Sequence, residues 1–189
     1  MVAKAAYFCR DKYDESALMR EIKFLEANSI ALLQPLTGLV STWTSDGDQK
    51  FITQEELIQI IKARKNINFQ YWLSDSDDLF RTIYFFEAGA LEIYNLKGFG
   101  ELLPNMISIL LFYFEEVMKT EVIKGFVIDT LGVTEDYDWS NFFFQQDIYA
   151  GVLPDIIGLP HNQLHRLHTN TAECKKRELG NFVILLTCP

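Results

Sequence analysis

The three histidines of the chain lie within one short segment, at His161, His165 and His168. Imidazole nitrogens are common ligands of zinc and other divalent metals. On an α-helix, spacings of four and three residues would place all three rings on one face. A small metal-dependent hydrolase would complete such a site with Asp155 or Cys174. Zinc sites normally take ligands from separate segments, and Pro160 precedes this one, so a solvated polar turn is the favoured interpretation.

A second chemical pattern interleaves acidic and aromatic residues a little earlier in the chain. Its members are Asp129, Glu135, Asp136, Tyr137, Asp138 and Trp139. Rings supply buried area at protein interfaces, and carboxylates steer and pair with a basic partner. The alternatives are that the carboxylates favour a helix N-terminus and that Trp139 belongs to the core. We predict a partner-binding surface that includes residues 135–139.

A third pattern is the carboxylate cluster Asp75, Asp77 and Asp78 in the segment SDSDD. Neighbouring carboxylates can hold Mg²⁺ or raise one another's pKa by repulsion. Serine and aspartate are also ordinary turn residues, and this segment lies between two predicted strands. We therefore predict a turn, and we expect its carboxylates to contribute contacts to the same basic partner.

The overall composition narrows the function classes. The chain has 189 residues, of which 49% are hydrophobic and 14% aromatic, and its net charge is −9. A strongly acidic protein is a poor ligand for nucleic acid, because phosphate binding needs a basic surface. The chain has no GxSxG, GxGxxG or P-loop signature, so we predict no cofactor and favour a non-catalytic protein.

The compartment follows from the cysteines and the apolar runs. Three cysteines without close spacing imply no disulfide framework and favour a reducing compartment. The N-terminus reaches charged residues too early for a signal peptide. The longest charge-free apolar run, residues 102–114, is shorter than the roughly 20 residues of a membrane span. We predict a cytoplasmic protein that does not bind a membrane.

The element expected to organise the fold is a long apolar helix over about residues 101–119. Its apolar positions recur at helical spacing: Leu103, Met106, Ile107, Leu110, Leu111, Phe114, Val117 and Met118. The opposite side carries Asn105, Ser108, Glu115 and Lys119. A helix that is apolar around most of its circumference must be covered, so we predict that it packs on a sheet.

The remaining patterns mix helices with strands. Residues 3–9, 15–27, 30–33 and 38–43 predict a β-α-β start, and residues 68–73, 79–86 and 90–96 predict a three-strand meander. Thr53 with Glu56 three residues later predicts a capping box. Residues 151–160, with two prolines and two glycines, predict irregular structure. We predict an α+β fold with a mixed or antiparallel sheet, in one domain over residues 1–189 with a weak boundary near residues 150–160.

The general profile of the chain is similar to that of the immunity proteins of bacterial toxin systems, which are small, acidic, cytosolic and rich in aromatic residues. This resemblance of character covers the whole chain and implies a non-catalytic inhibitor that blocks a basic toxin. Two other interpretations stay open. One is the metal-dependent enzyme built on the histidine segment. The other is a self-associating structural protein whose aromatic residues form a homodimer seam.

Overall fold

The computed structural model describes residues 4–44, 46–134 and 136–187. They group into two units: unit 1 contains the described residues of Met1–Asp11 and Asn95–Pro189, and unit 2 contains those of Lys12–Tyr94. Each unit combines helices with antiparallel strands, which confirms the predicted α+β class. The predicted single domain and the weak boundary near residues 150–160 stay predictions.

The helices of unit 2 begin where the sequence supplies a cap. Helix α1 spans Glu15–Ala27, and the Asp14 side chain accepts a hydrogen bond from the Ala17 amide at 3.1 Å. Helix α2 spans Gln54–Lys62 and starts with the predicted capping box, in which Thr53 and Glu56 each bond the other's backbone amide. Both starts are therefore set by short-range hydrogen bonds.

The sheet of unit 2 is antiparallel throughout its described strands. These are β2 (Val40–Trp43), β3 (Gln49–Ile52), β4 (Ile67–Trp72), β5 (Asp78–Phe86) and β6 (Gly89–Asn95), arranged in the order β3-β2-β4-β5-β6. Strands β4, β5 and β6 pair in succession, with Gln70 opposite Phe80 and Tyr84 opposite Leu91. This is the predicted three-strand meander.

The sheet of unit 1 is also antiparallel. Its described strands are β1 (Ala5–Arg10), β7 (Ile123–Asp129), β8 (Ile156–Pro160), β9 (Lys175–Leu179) and β10 (Phe182–Leu186), in the order β1-β7-β8-β10-β9. Helix α3 spans Leu103–Met118 and helix α4 spans Trp139–Gln145. The Phe114 ring of α3 stacks on Phe8 at 4.4 Å and contacts Phe126 at 5.3 Å, so α3 packs on strands β1 and β7.

The predicted β-α-β start is wrong. Strand β1 pairs antiparallel with β7 in unit 1, whereas α1 and β2 belong to unit 2, where β2 pairs with β3 and β4. The predicted strand at residues 30–33 is reduced to a single bridge between Ala31 and Trp72. Local apolar patterns indicate that a segment is extended but do not specify its partner.

The description of the long apolar helix also needs correction. Helix α3 begins at Leu103, after a 3-10 turn at Gly100–Leu102, and it ends at Met118. Only one stripe of it is buried, whose hydrophobic members are Met106, Leu110, Tyr113, Phe114 and Val117. Glu115, expected on the polar side, is buried and forms an ion pair with Arg177 at 2.7 Å. Glu115 is therefore buried because its carboxylate pairs with Arg177 on strand β9.

Residues 151–160 are less irregular than predicted, because strand β8 occupies the second half of this segment. Gly158 is required there by packing rather than by a turn. A Cβ atom at Gly158 would lie 2.1 Å from the Phe126 ring on the neighbouring strand. A glycine inside a strand often marks such a close approach. None of the described helices is long and apolar enough to cross a membrane.

Candidate protein-binding surfaces

One face of the unit 2 sheet, which we call the aromatic face, carries partly exposed rings on neighbouring strands. Its rings are Trp43, Phe51, Trp72, Phe80 and Tyr84. Phe51 is 43% and Tyr84 41% exposed, and the other three are half-buried. The cross-strand register places these side chains on one side, and the Trp43 and Phe80 centroids lie 6.3 Å apart.

The two helices that the structure describes in unit 2 pack on the other side of this sheet. Glu21 of α1 accepts hydrogen bonds from Tyr71 and Arg81, which alternate with the residues of the aromatic face. Just beyond α2, the Arg64 guanidinium lies 5.3 Å from the centre of the Phe85 ring on that same side. Neither described helix of the unit therefore covers the aromatic face.

A seam of hydrogen-bonded polar side chains runs across the aromatic face. Gln49 Nε2 donates to Ser41 Oγ at 2.7 Å, and Ser41 Oγ donates to Gln70 Oε1 at 2.6 Å. Gln70 Nε2 then donates to Asp78 Oδ2 at 2.7 Å. The seam joins β3, β2, β4 and β5 and holds these side chains among the rings. A surface that is ordered before binding loses less entropy when a partner docks.

The predicted acidic turn closes one end of the aromatic face. Ser74 Oγ accepts a hydrogen bond from the Asp77 amide at 3.0 Å and donates to Asp77 Oδ2 at 2.8 Å. Asp75 and Asp77 are exposed, whereas Asp78 is half-buried in the polar seam. Trp72 is opposite Asp78 in the register, so the Asp78 side chain lies on the same face beside this ring, and Asp75 and Asp77 precede it in the turn.

Beneath the same sheet lies a sealed charge cluster, formed by Glu21, Arg81 and Glu92, each 0% exposed. Arg81 donates to Glu21 at 2.8 and 3.0 Å and to Glu92 at 2.5 Å. Burial is the largest single effect and lowers the pKa of Arg81, but the combined charges of Glu21, Tyr94 and Glu92 outweigh it and raise that pKa well above its usual value. The cluster therefore joins α1 to the sheet through groups that solvent does not reach.

In unit 1, a buried carboxylate shapes the loop that follows β7. Asp129 is 1% exposed. Its Oδ1 accepts from the amides of Gly132 at 2.7 Å and Val133 at 3.1 Å, and its Oδ2 accepts from the Thr134 amide at 2.8 Å and hydroxyl at 2.7 Å. The loop is thereby held in a shape that leaves the Leu131 side chain 64% exposed. Asp129 was predicted to belong to an exposed surface. The side chain is instead buried, and its hydrogen bonds hold the loop whose other residues are exposed.

The rings of the acidic and aromatic segment form a packed support. Tyr137 contacts Trp139 at 4.9 Å and Tyr149 at 4.7 Å, and Trp139 stacks on Tyr149 at 5.1 Å. Trp139 Nε1 donates to the Thr134 hydroxyl at 3.2 Å. Burial, followed by the charge of Asp129, raises the pKa of Tyr149 to about 12. This support connects the loop after β7 to helix α4.

Arg166 fixes the far end of the same region. Its Nε donates to the Asp147 carbonyl at 3.0 Å, and its guanidinium also donates to the Phe142 carbonyl. The guanidinium carbon lies 4.2 Å from the centre of the Phe142 ring. The segment that links α4 to β8 is therefore held by a buried cation that bonds to backbone oxygens.

The predicted contact residues of this segment differ in their exposure. Asp136 and Asp138 are exposed and Tyr137 is half-buried. The Asp138 carboxylate also caps α4, accepting from the Ser140 amide at 2.9 Å. Trp139 is 1% exposed, so its ring is packed beneath the surface formed by its neighbours. Glu135 lies outside the described residues. The structure places Asp75, Asp77 and Asp78 in unit 2 and residues 136–139 in unit 1.

The predicted helical face of histidines does not form. His161 and His165 lie on a 3-10 helix, His161–Arg166, and His168 lies beyond its end. With three residues per turn, positions four apart on a 3-10 helix point in different directions. Asp155 bonds instead to the Thr130 amide at 2.6 Å. Within residues 4–44, 46–134 and 136–187, no three His, Cys, Asp or Glu side chains are arranged to hold a metal ion.

Sequence reasoning missed several residues that shape the surfaces. The exposure of Leu131 and Val133 was not predicted, although two apolar residues in a short loop between acidic residues are a signal of exposed apolar area. No sequence pattern indicated the role of Arg166, because it donates to backbone carbonyls and these do not depend on residue type. Strand β5 has rings in both alternating positions, Phe80 and Phe85, which indicates that both of its faces carry aromatic residues.

Comparisons of the chain with known protein families, with curated proteins and with solved structures found no match.

Proposed function

We propose that this is a non-catalytic, cytoplasmic binding protein whose acidic and aromatic surface engages a basic protein, as an immunity-type inhibitor of a bacterial toxin would. The observation that carries the proposal is the aromatic face of unit 2. An exposed cluster of rings is unfavourable in water and is a common mark of a protein interface. Aromatic residues also provide most of the binding energy at many interfaces.

Charge selects the partner in this proposal. Exposed Asp75 and Asp77 belong to the turn that leads into β5, and the chain as a whole carries a net charge of −9. Such a field attracts a basic protein at long range and accelerates its association, more so at low salt. The mechanism is occlusion: the rings dock on the partner, the carboxylates pair with its cations, and no chemical step occurs.

The test is affinity capture from the lysate of the host organism on immobilised wild-type protein and on variants. The variant Phe51→Ser with Tyr84→Ser removes the two most exposed rings of the aromatic face. The variant Asp75→Lys with Asp77→Lys reverses its charge. We expect one basic protein to be retained by wild type, to be released by salt, and to be lost from both variants, as measured by quantitative mass spectrometry.

Matched controls separate specific loss from general damage. Leu36→Ser removes a 79% exposed apolar side chain elsewhere in unit 2. Glu26→Lys with Glu87→Lys makes the same change of net charge at exposed positions away from the acidic turn. Both controls should retain the captured protein. Equal capture by all variants, or a retained protein that is acidic, would contradict the proposal.

A further inference from the structure

A groove in unit 1 combines exposed apolar side chains with acidic ones. Its volume is about 640 Å³, and its lining includes Leu131, Val133, Val152, Leu153, Asp155 and Glu173. Leu131 is 64%, Val133 42% and Val152 69% exposed. A volume of this size lies within the range of about 300–1,000 Å³ that is typical of ligand pockets.

The walls of the groove are held in place by hydrogen bonds. Asp129 fixes the amides of Gly132 and Val133 on one side. Asp155 Oδ2 accepts from the Thr130 amide and, at 2.9 Å, from its hydroxyl, which ties the start of the same loop to the segment before β8. On the other side the Tyr149 hydroxyl donates to the Val152 carbonyl. The backbone that carries Val133 and Val152 is therefore held by hydrogen bonds while their side chains are exposed.

Charge indicates what fits this groove. The charged residues that line it, Asp155 and Glu173, are both acidic. Among the exposed residues near the lining segments, Asp136 and Asp147 are acidic and Lys175 and Lys176 are basic, so the negative charge of the groove comes from its own lining. An acidic site with an apolar floor favours a cationic ligand that carries an apolar group, and disfavours an anionic one.

We infer that this groove binds a peptide segment in which one large apolar side chain is flanked by lysine or arginine residues. The apolar side chain fills the space between Leu131 and Val152, and the flanking cations pair with Glu173 and Asp155. The inference rests on the proposed function, because the basic partner would supply this segment. It adds a specific recognition element to the partner's general positive charge.

The test uses defined peptides instead of the unknown partner. The first peptide has one phenylalanine between two pairs of lysines, the second has alanine in its place, and the third has glutamates in place of the lysines. Binding of fluorescent peptides to the whole protein is measured by anisotropy at low and moderate salt. We expect the phenylalanine peptide with lysines to bind at least about tenfold more tightly than either of the others.

A variant then locates the binding site. Leu131→Ser with Val152→Ser should remove the preference for phenylalanine over alanine, and Leu36→Ser in unit 2 should leave that preference unchanged. Circular dichroism and urea unfolding are expected to show that this variant is folded, because substitutions of exposed residues rarely affect stability strongly.

The other outcomes overturn the inference. If the phenylalanine and alanine peptides bind wild type equally, charge alone explains the binding and the inference is wrong. The proposed function would be unaffected by that result. Equal binding of the glutamate peptide would exclude a cationic ligand. A second copy of the chain as the occupant would appear in light scattering as a dimer that Leu131→Ser with Val152→Ser converts to monomer. If capture on the aromatic face fails while the peptide result holds, only the proposed function is lost.

Discussion

Buried charged side chains are satisfied by one another in a cluster of unit 2 and by the backbone at two places in unit 1, although unit 1 also contains the ion pair of Glu115 with Arg177. In unit 2, Arg81 bonds to the carboxylates of Glu21 and Glu92, so the buried charges satisfy one another under the sheet. In unit 1, Asp129 and Arg166 bond mainly to backbone amides and carbonyls of loops. The first arrangement fixes the packing of a helix on a sheet, and the second fixes the shape of a surface. Damage to the first should therefore reduce stability most, whereas damage to the second should mainly change what the surface presents.

The largest effect is expected from Arg81→Met. Removing the guanidinium leaves two carboxylates buried without their cation, which typically costs about 3–5 kcal/mol. Urea unfolding should show this loss in the free energy of unfolding. Adding Glu21→Gln and Glu92→Gln should restore part of it, because the uncompensated charges are then removed. Arg20→Met, at an exposed position of α1, serves as control and should change stability by less than about 0.5 kcal/mol.

A smaller effect is expected from Asp129→Ala. The substitution leaves the amides of Gly132, Val133 and Thr134 without their acceptor, at a cost of about 2 kcal/mol, because water can reach part of this loop. Hydrogen exchange should accelerate at these three amides, while exchange in the core strands of unit 2 stays slow. Uniform acceleration across both units would contradict the view that Asp129 acts locally on the surface.

Alkaline pH should destabilise the ring support of unit 1. The pKa of Tyr149 is raised from 10.0 to about 12 in the folded protein, so folding favours the neutral phenol. Its contribution is complete below pH 10 and is lost as the pH rises through about 12. Urea midpoints measured between pH 9 and 12 should fall for wild type, and less steeply for Tyr149→Phe. Identical slopes would show that this phenol is not linked to folding.

Capping residues offer a matched pair of small effects. Thr53→Ala removes the cap of α2 in unit 2, and Asp138→Ala removes the cap of α4 in unit 1. Each should cost about 1 kcal/mol. Only Asp138→Ala should also change the near-ultraviolet circular dichroism strongly, because Trp139, which contacts the Tyr137 ring, is the residue directly after that cap. A similar spectral change in Thr53→Ala would show that the near-ultraviolet signal does not report specifically on the rings next to the α4 cap.

The smallest effect on stability is expected at the exposed apolar side chains themselves. Phe51→Ser on the aromatic face and Leu131→Ser in the groove should each change the free energy of unfolding by no more than about 0.5 kcal/mol. Both should nevertheless weaken binding, which urea unfolding and the capture and peptide assays measure separately. A large loss of stability in either variant would indicate a structural role instead.

The sequence by itself determined what depends on neighbours along the chain. The caps at Asp14 and Thr53 lie within three residues of their partners, so the starts of α1 and α2 were predictable. The meander of β4, β5 and β6 was predictable because its strands are consecutive and joined by short turns. Asp136 and Asp138 were also correctly expected to be exposed, since acidic side chains near a helix start usually are.

Only the tertiary structure decided which distant segments meet. The pairing of β1 with β7 joins residues more than a hundred positions apart, and no local pattern encodes such a partner. The burial of Glu21 and Asp129 followed from an arginine on another element and from the path of a loop, respectively. The 3-10 geometry separated the histidines that a regular α-helix would have aligned. Strand and helix formation are local preferences, whereas burial and site geometry arise when elements pack together. The sequence alone therefore did not predict which side chains form each surface.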